Sequence, residues 1–68
     1  MDTTLEWFER SRLLKATEIA EILNISRAMA YRLIQTGEIR SVHIGTARRV
    51  RPEDLDAYIE DNLTSNAE

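Results

Sequence analysis

Cysteine is absent from the 68-residue chain, histidine and proline occur once each, and glycine occurs twice. Without thiolates, neither a disulfide framework nor a cysteine-ligated zinc site can supplement a small core. His43 has no partner at ligand spacing, so no metal is expected. With no cysteine, one histidine and no phosphate-cradling loop around either glycine, no cofactor, no catalytic residue and no enzymatic activity are expected. No apolar run approaches the ~20 residues of a membrane span, and no hydrophobic signal region is present; a cytoplasmic protein without membrane contact is the expectation. At this length the chain forms one domain with a modest core.

Charge is present in quantity, and its arrangement matters more than its sum. The net charge is −3, with nine basic and twelve acidic residues. All nine basic residues lie between Arg10 and Arg51, where the only acids are Glu18, Glu21 and Glu38, a local balance of +6. The other nine acids occupy the two flanks. A basic middle bracketed by acidic ends can still turn one cationic face to a polyanion.

The apolar pattern is helical from Ala16 to Leu23, with Ile19, Ala20 and Leu23 sharing a face. Asn24 has the chemistry of a left-handed helix stop, Ile25 anchors the connection, and Ser26 is an N-cap for a second helix. That helix is expected from Arg27 to about Thr36, stopped by Gly37, with Ala30, Leu33 and Ile34 buried and Arg27, Ala28, Tyr31, Arg32 and Gln35 outside. Two short helices so close together make a helix-turn-helix pattern. Alternation follows: Val42 and Ile44 against His43, a turn at Gly45-Thr46-Ala47, and a returning strand Arg48-Arg49-Val50-Arg51 with Arg40 opposite. Pro52 opens a last helix, with Leu55, Tyr58 and Ile59 closing the core and the acids Glu53, Asp54, Asp56, Glu60 and Asp61 on a solvated face.

The fold class expected is therefore mainly α with a small β-hairpin: a winged helix-turn-helix over residues 13–62 in one compact domain. Residues 1–12 precede it, either as a short helical turn packing Leu5, Trp7 and Phe8 or as an arm offering an aromatic to a partner. Residues 63–68 are read as a disordered tail.

An α-helix fits the major groove of B-DNA, and its early residues come closest to the base edges. Arg27 and Arg32 can pair with guanine or grip phosphate, Ala28 allows close approach and can meet a thymine methyl, and Tyr31 can donate to a phosphate. Ser26 can cap the helix and touch the backbone of the DNA. On the hairpin, Arg48, Arg49 and Arg51, with Arg40 opposite, can lie along the minor groove or bind neighbouring phosphates, with His43 and Thr46 beside them.

From Leu13 to Glu60 the chain resembles the small winged helix-turn-helix proteins of the excisionase type, related to the DNA-reading heads of mercury-resistance-type regulators. The likeness rests on Leu13-Leu14, Glu18-Ile19-Ala20-Glu21-Ile22-Leu23, Ile25-Ser26-Arg27, Tyr31-Arg32-Leu33-Ile34 and Gly37-Glu38-Ile39. Val42-His43-Ile44-Gly45, Arg49-Val50 and Pro52-Glu53-Asp54-Leu55-Asp56-Ala57-Tyr58-Ile59 complete it. Lys15 departs from it, standing where a Thr or Ser cap is usual, with Thr17 as a shifted cap. Thr46 and Ala47 replace basic wing-tip residues, and Arg48 replaces an aromatic.

The resemblance implies double-stranded DNA as the partner, with contacts from Ser26, Arg27, Ala28, Tyr31, Arg32, His43, Thr46, Arg48 and Arg49. It implies a recombination directionality factor or architectural protein of a mobile element, working with an integrase or recombinase and self-associating cooperatively on DNA, in a bacterial or phage-type nucleoid setting. A small transcriptional regulator fits the same residues. A protein-interaction module acting through the acidic flanks and Trp7 or Phe8 is the alternative of another class.

Overall fold

The computed structural model describes residues 12–64. The segment carrying Leu5, Trp7 and Phe8, and most of the tail expected at 63–68, lie outside the described residues. The element order is α1 (Ala16–Leu23), α2 (Arg27–Gln35), β1 (Val42–Ile44), β2 (Ala47–Arg49) and α3 (Pro52–Asp61). The architecture is a winged helix-turn-helix, with three helices and one two-stranded antiparallel hairpin among the described residues.

α1 starts without a side-chain hydroxyl at its head. Lys15 occupies the N-cap with extended backbone, and the Glu18 carboxylate reaches back to accept its N–H at 2.8 Å. Arg12 pairs with the same carboxylate. Thr17, expected as a shifted cap, lies instead within the first turn, because Glu18 already satisfies the leading amide. The helix ends at Asn24, whose φ of 59° is the left-handed conformation the sequence led one to expect. The Ile25 N–H then donates to the Ala20 carbonyl at 2.9 Å, turning the chain into α2.

α2 is capped by Ser26, whose hydroxyl accepts from the Met29 N–H at 3.1 Å. It closes at Thr36, and Gly37 follows with a φ of 84° that a side chain would resist. Ala30, Leu33 and Ile34 form its buried stripe and pack on Ile19 and Ala20 of α1.

Two fully buried residues come from outside the helices. Ile39 sits between α2 and β1, its N–H donating to the Leu33 carbonyl at 3.1 Å. Val50 follows β2 and exchanges two backbone hydrogen bonds with Leu14, at 2.7 and 2.9 Å. The hairpin thereby hangs from the core at both ends, which an isolated two-stranded ribbon needs. Its register pairs Val42 with Arg49, His43 with Arg48 and Ile44 with Ala47 across a Gly45-Thr46 turn, Gly45 having a φ of 62°.

Three details correct the reading from sequence. Arg51 leaves the ribbon to become the N-cap of α3, since Pro52 holds the first helical position, and Arg40 stands outside the ladder. Ile59 is 36% exposed rather than core, because α3 rests on the domain through its first turns, with Leu55 buried and Tyr58 half-buried. Asp54 is not on a solvated face: it is 8% exposed and accepts two hydrogen bonds from the Arg51 guanidinium, at 2.6 and 2.9 Å.

Those hydrogen bonds, with the positive charge of Arg51 and Arg40, hold the Asp54 carboxyl below its ordinary range against the opposing effect of burial. The Lys15 amide does the same for Glu18, helped by Arg12. Both groups are more acidic folded than unfolded, so their stabilisation is complete above the ordinary carboxylate range and is lost as pH falls through their lowered values. Thermal melts followed by circular dichroism are expected to hold a constant midpoint near neutrality and to drop in acid. Asp54→Asn is expected to flatten part of that drop.

Candidate nucleic-acid interface

Burial of Ala30, Leu33 and Ile34 fixes which side of α2 faces away from the domain. With 3.6 residues per turn, Ala28, Arg32 and Gln35 stand farthest out, while Tyr31 and Arg27 lie on one flank and Met29 on the other. Tyr31 is 53% exposed. Arg32 extends from the middle of the helix, its Nη2 3.9 Å from the Met29 sulfur. Ser26, Ala28 and Arg32 line one shallow depression together with Met29. Arg27 is set apart from them, in a recess beside Thr17 and Glu21 of α1.

The hairpin approaches α2 from the other side. Between them lies a cleft of about 560 Å³, walled by Lys15 and Thr17 of the α1 start, Tyr31 and Gln35 of α2, and Thr46 and Arg49 of the hairpin. Among the described residues no carboxylate lines it. Four of the residues expected from the sequence, Tyr31, Thr46, Arg48 and Arg49, therefore meet in one place. His43 is exposed on β1 and borders a separate recess with Arg40 and Arg48.

The two wing arginines are held differently from a pair of free cations. Arg48 is half-buried, and its Nη1 donates to the Ile34 carbonyl at 3.3 Å, at the C-terminal end of α2. A guanidinium there is favoured by the helix dipole and satisfies a carbonyl near the end of the hydrogen-bond ladder. Arg48 thus joins the hairpin to α2. Arg49 folds back so that its Nη1 donates to the Arg48 carbonyl at 2.9 Å. Arg48→Ala is expected to lower stability by about 0.5–1.5 kcal/mol, the worth of a typical hydrogen bond, in a denaturant titration.

Reading by spacing passed over Lys15, Thr17 and Gln35. Gln35 was recognisable, since it lies on the outward face and carries an amide able to make two hydrogen bonds to adenine. Lys15 and Thr17 carried no such signal. No linear spacing links the start of α1 to Tyr31 or Arg49; only the tertiary fold brings them together.

A family model described as a helix-turn-helix domain matches residues 13–63. The chain belongs to that helix-turn-helix family. The family includes excisionase-like proteins, and its match runs from just before α1 to just beyond α3. Among curated proteins, this helix-turn-helix domain is 29% identical over 51 residues to one from Mycobacterium tuberculosis strain CDC 1551 / Oshkosh named "Putative DNA-binding protein". A protein of the same name from strain ATCC 25618 / H37Rv matches equally, at 29% over 51 residues. In both cases the alignment covers 75% of this chain and 65% of the relative, so less than two thirds of each relative's length is spanned. No solved structure matches. Among the described residues no helix is long and apolar enough to cross a membrane.

Proposed function

We propose that this helix-turn-helix domain binds double-stranded DNA sequence-specifically, with α2 in the major groove and the hairpin along the adjacent minor groove, and carries no catalysis of its own. The observation that carries the reading is the outward face of α2, with Ala28 and Arg32 foremost and Arg27 and Tyr31 on its flank, set beside an arginine-bearing hairpin across a cleft with no acid among the described residues. Ser26, His43, Thr46, Arg48 and Arg49 complete the proposed contact set, Arg48 in a partly structural capacity. Family membership and the names of the mycobacterial relatives support the same partner.

Within that reading, the proposed role is an excisionase-like architectural factor of a mobile element, acting beside an integrase and in cooperative copies. One module spans a short site, so neighbouring copies supply the affinity a single one lacks. A small transcriptional regulator would use the same residues, and an excision assay with the element's own integrase separates the two. The binding test is fluorescence anisotropy with duplexes around the protein's own gene, against scrambled duplex, across a salt series. Preference for the native duplex with a steep salt slope is the expected result. Absence of binding to any duplex at low salt would overturn it and turn attention to a protein partner.

A further inference from the structure

If α2 lies in a major groove and the hairpin in the neighbouring minor groove, one sugar-phosphate strand must pass between them. The cleft bounded by α2, the hairpin and the start of α1 offers that strand a seat. We infer that this cleft is a seat for one backbone phosphate, held by Lys15 and Thr17 of α1 with Tyr31 and Arg49 closing over it.

The inference rests on the DNA-binding reading and adds to it a third element, α1, that neither the helix-turn-helix face nor the wing accounts for. Every polar side chain on the walls can donate a hydrogen bond: an ammonium, two threonine hydroxyls, a phenol, a glutamine amide and guanidinium groups. A phosphate oxygen accepts from any of them, whereas a cationic ligand would find no carboxylate among the described residues there. The ion pairs among the described residues engage Arg12 and Arg51 and leave the cleft's cations out. Lys15 is exposed, and its side chain makes no capping hydrogen bond. Glu18 caps α1 through the Lys15 amide instead, which leaves the Lys15 side chain available to the cleft. Arg49 spends its visible hydrogen bond on a neighbouring carbonyl, a contact it can exchange for a phosphate without moving the strand.

The test compares the full chain with Lys15→Ala and Lys15→Arg on a duplex that the wild type binds, over 50 to 200 mM salt. Each phosphate contact contributes about 0.9 to the slope of log affinity on log salt, or roughly 3- to 4-fold in affinity across that range. Lys15→Ala is expected to lose about one contact's worth of slope on specific and scrambled duplex alike, and Lys15→Arg to restore it. A single uncharged methylphosphonate placed at the backbone between the two contacted grooves is expected to weaken the wild type, but not Lys15→Ala further. Tyr31→Phe, which keeps the ring, is expected to weaken binding to both duplexes by a similar factor. An unchanged slope in Lys15→Ala, with wild-type binding intact, overturns the phosphate seat alone. Failure of the wild type to bind any duplex overturns the DNA-binding reading and the seat together.

Discussion

Ile39→Ala is expected to remove most of the domain's stability, although Ile39 belongs to no helix and no strand. The side chain is fully buried and sits where the chain leaves α2 for the hairpin. Truncating a buried isoleucine to alanine costs about 2–5 kcal/mol, the removed surface plus the cavity left behind. A chain of this length has roughly 3–10 kcal/mol in total, at the usual stability per residue. The midpoint of a thermal melt is expected to fall by about 10 °C or more. DNA binding at 37 °C is expected to weaken with it, because the same residue anchors the hairpin to α2. Ile44→Ala is the control: at 54% exposed it is expected to change stability by less than about 0.5 kcal/mol. Equal melts for the two variants would contradict the core described above.

Arg32→Ala carries the largest expected effect on recognition. Arg32 projects from the centre of the outward face of α2, where a guanidinium can reach two acceptors on a guanine edge. Its loss is expected to cost about 1–3 kcal/mol on the specific duplex, roughly 10- to 100-fold in affinity, with little change on scrambled DNA. Arg27→Ala is expected to cost less and more uniformly, since Arg27 lies on the flank beside α1. Competition anisotropy with both duplexes separates the two outcomes. A uniform loss in Arg32→Ala would reassign it to the phosphate backbone.

These expectations show where the sequence was sufficient and where it was not. α1 and α2 were legible almost to the residue, because local chemistry marks their ends: Asn24 and Gly37 take left-handed torsions, and Ser26 caps the helix it precedes. The existence of the hairpin was legible from alternation and from Gly45, but not its bounds: Ala47, read as part of the turn, pairs with Ile44, and Val50, read as strand, leaves the ribbon to pair with Leu14. Ile39 and Val50 were not legible as core, since each is a lone apolar residue in a connecting segment and periodicity cannot single it out. Ile59 follows the helical spacing yet escapes burial, because spacing gives a face and not how far the core extends beneath it. Arg51 could have been withdrawn from the wing on sequence grounds alone: a residue just before a proline at the first helical position is an N-cap. The docking of Arg48 on the Ile34 carbonyl and the meeting of Lys15 with Tyr31 depend on how the hairpin leans, which no local signal encodes.

Whether α2 and the hairpin occupy adjacent grooves is read by a groove-resolved interference footprint on duplexes enriched from a random pool by the full chain. Methylation at guanine N7 reports the major groove, and methylation at adenine N3 reports the minor. Interference is expected in a short major-groove stretch and in one neighbouring minor groove, about half a helical turn away. Interference confined to a single groove, or none on a duplex that binds, would contradict a helix and a wing seated on either side of one strand.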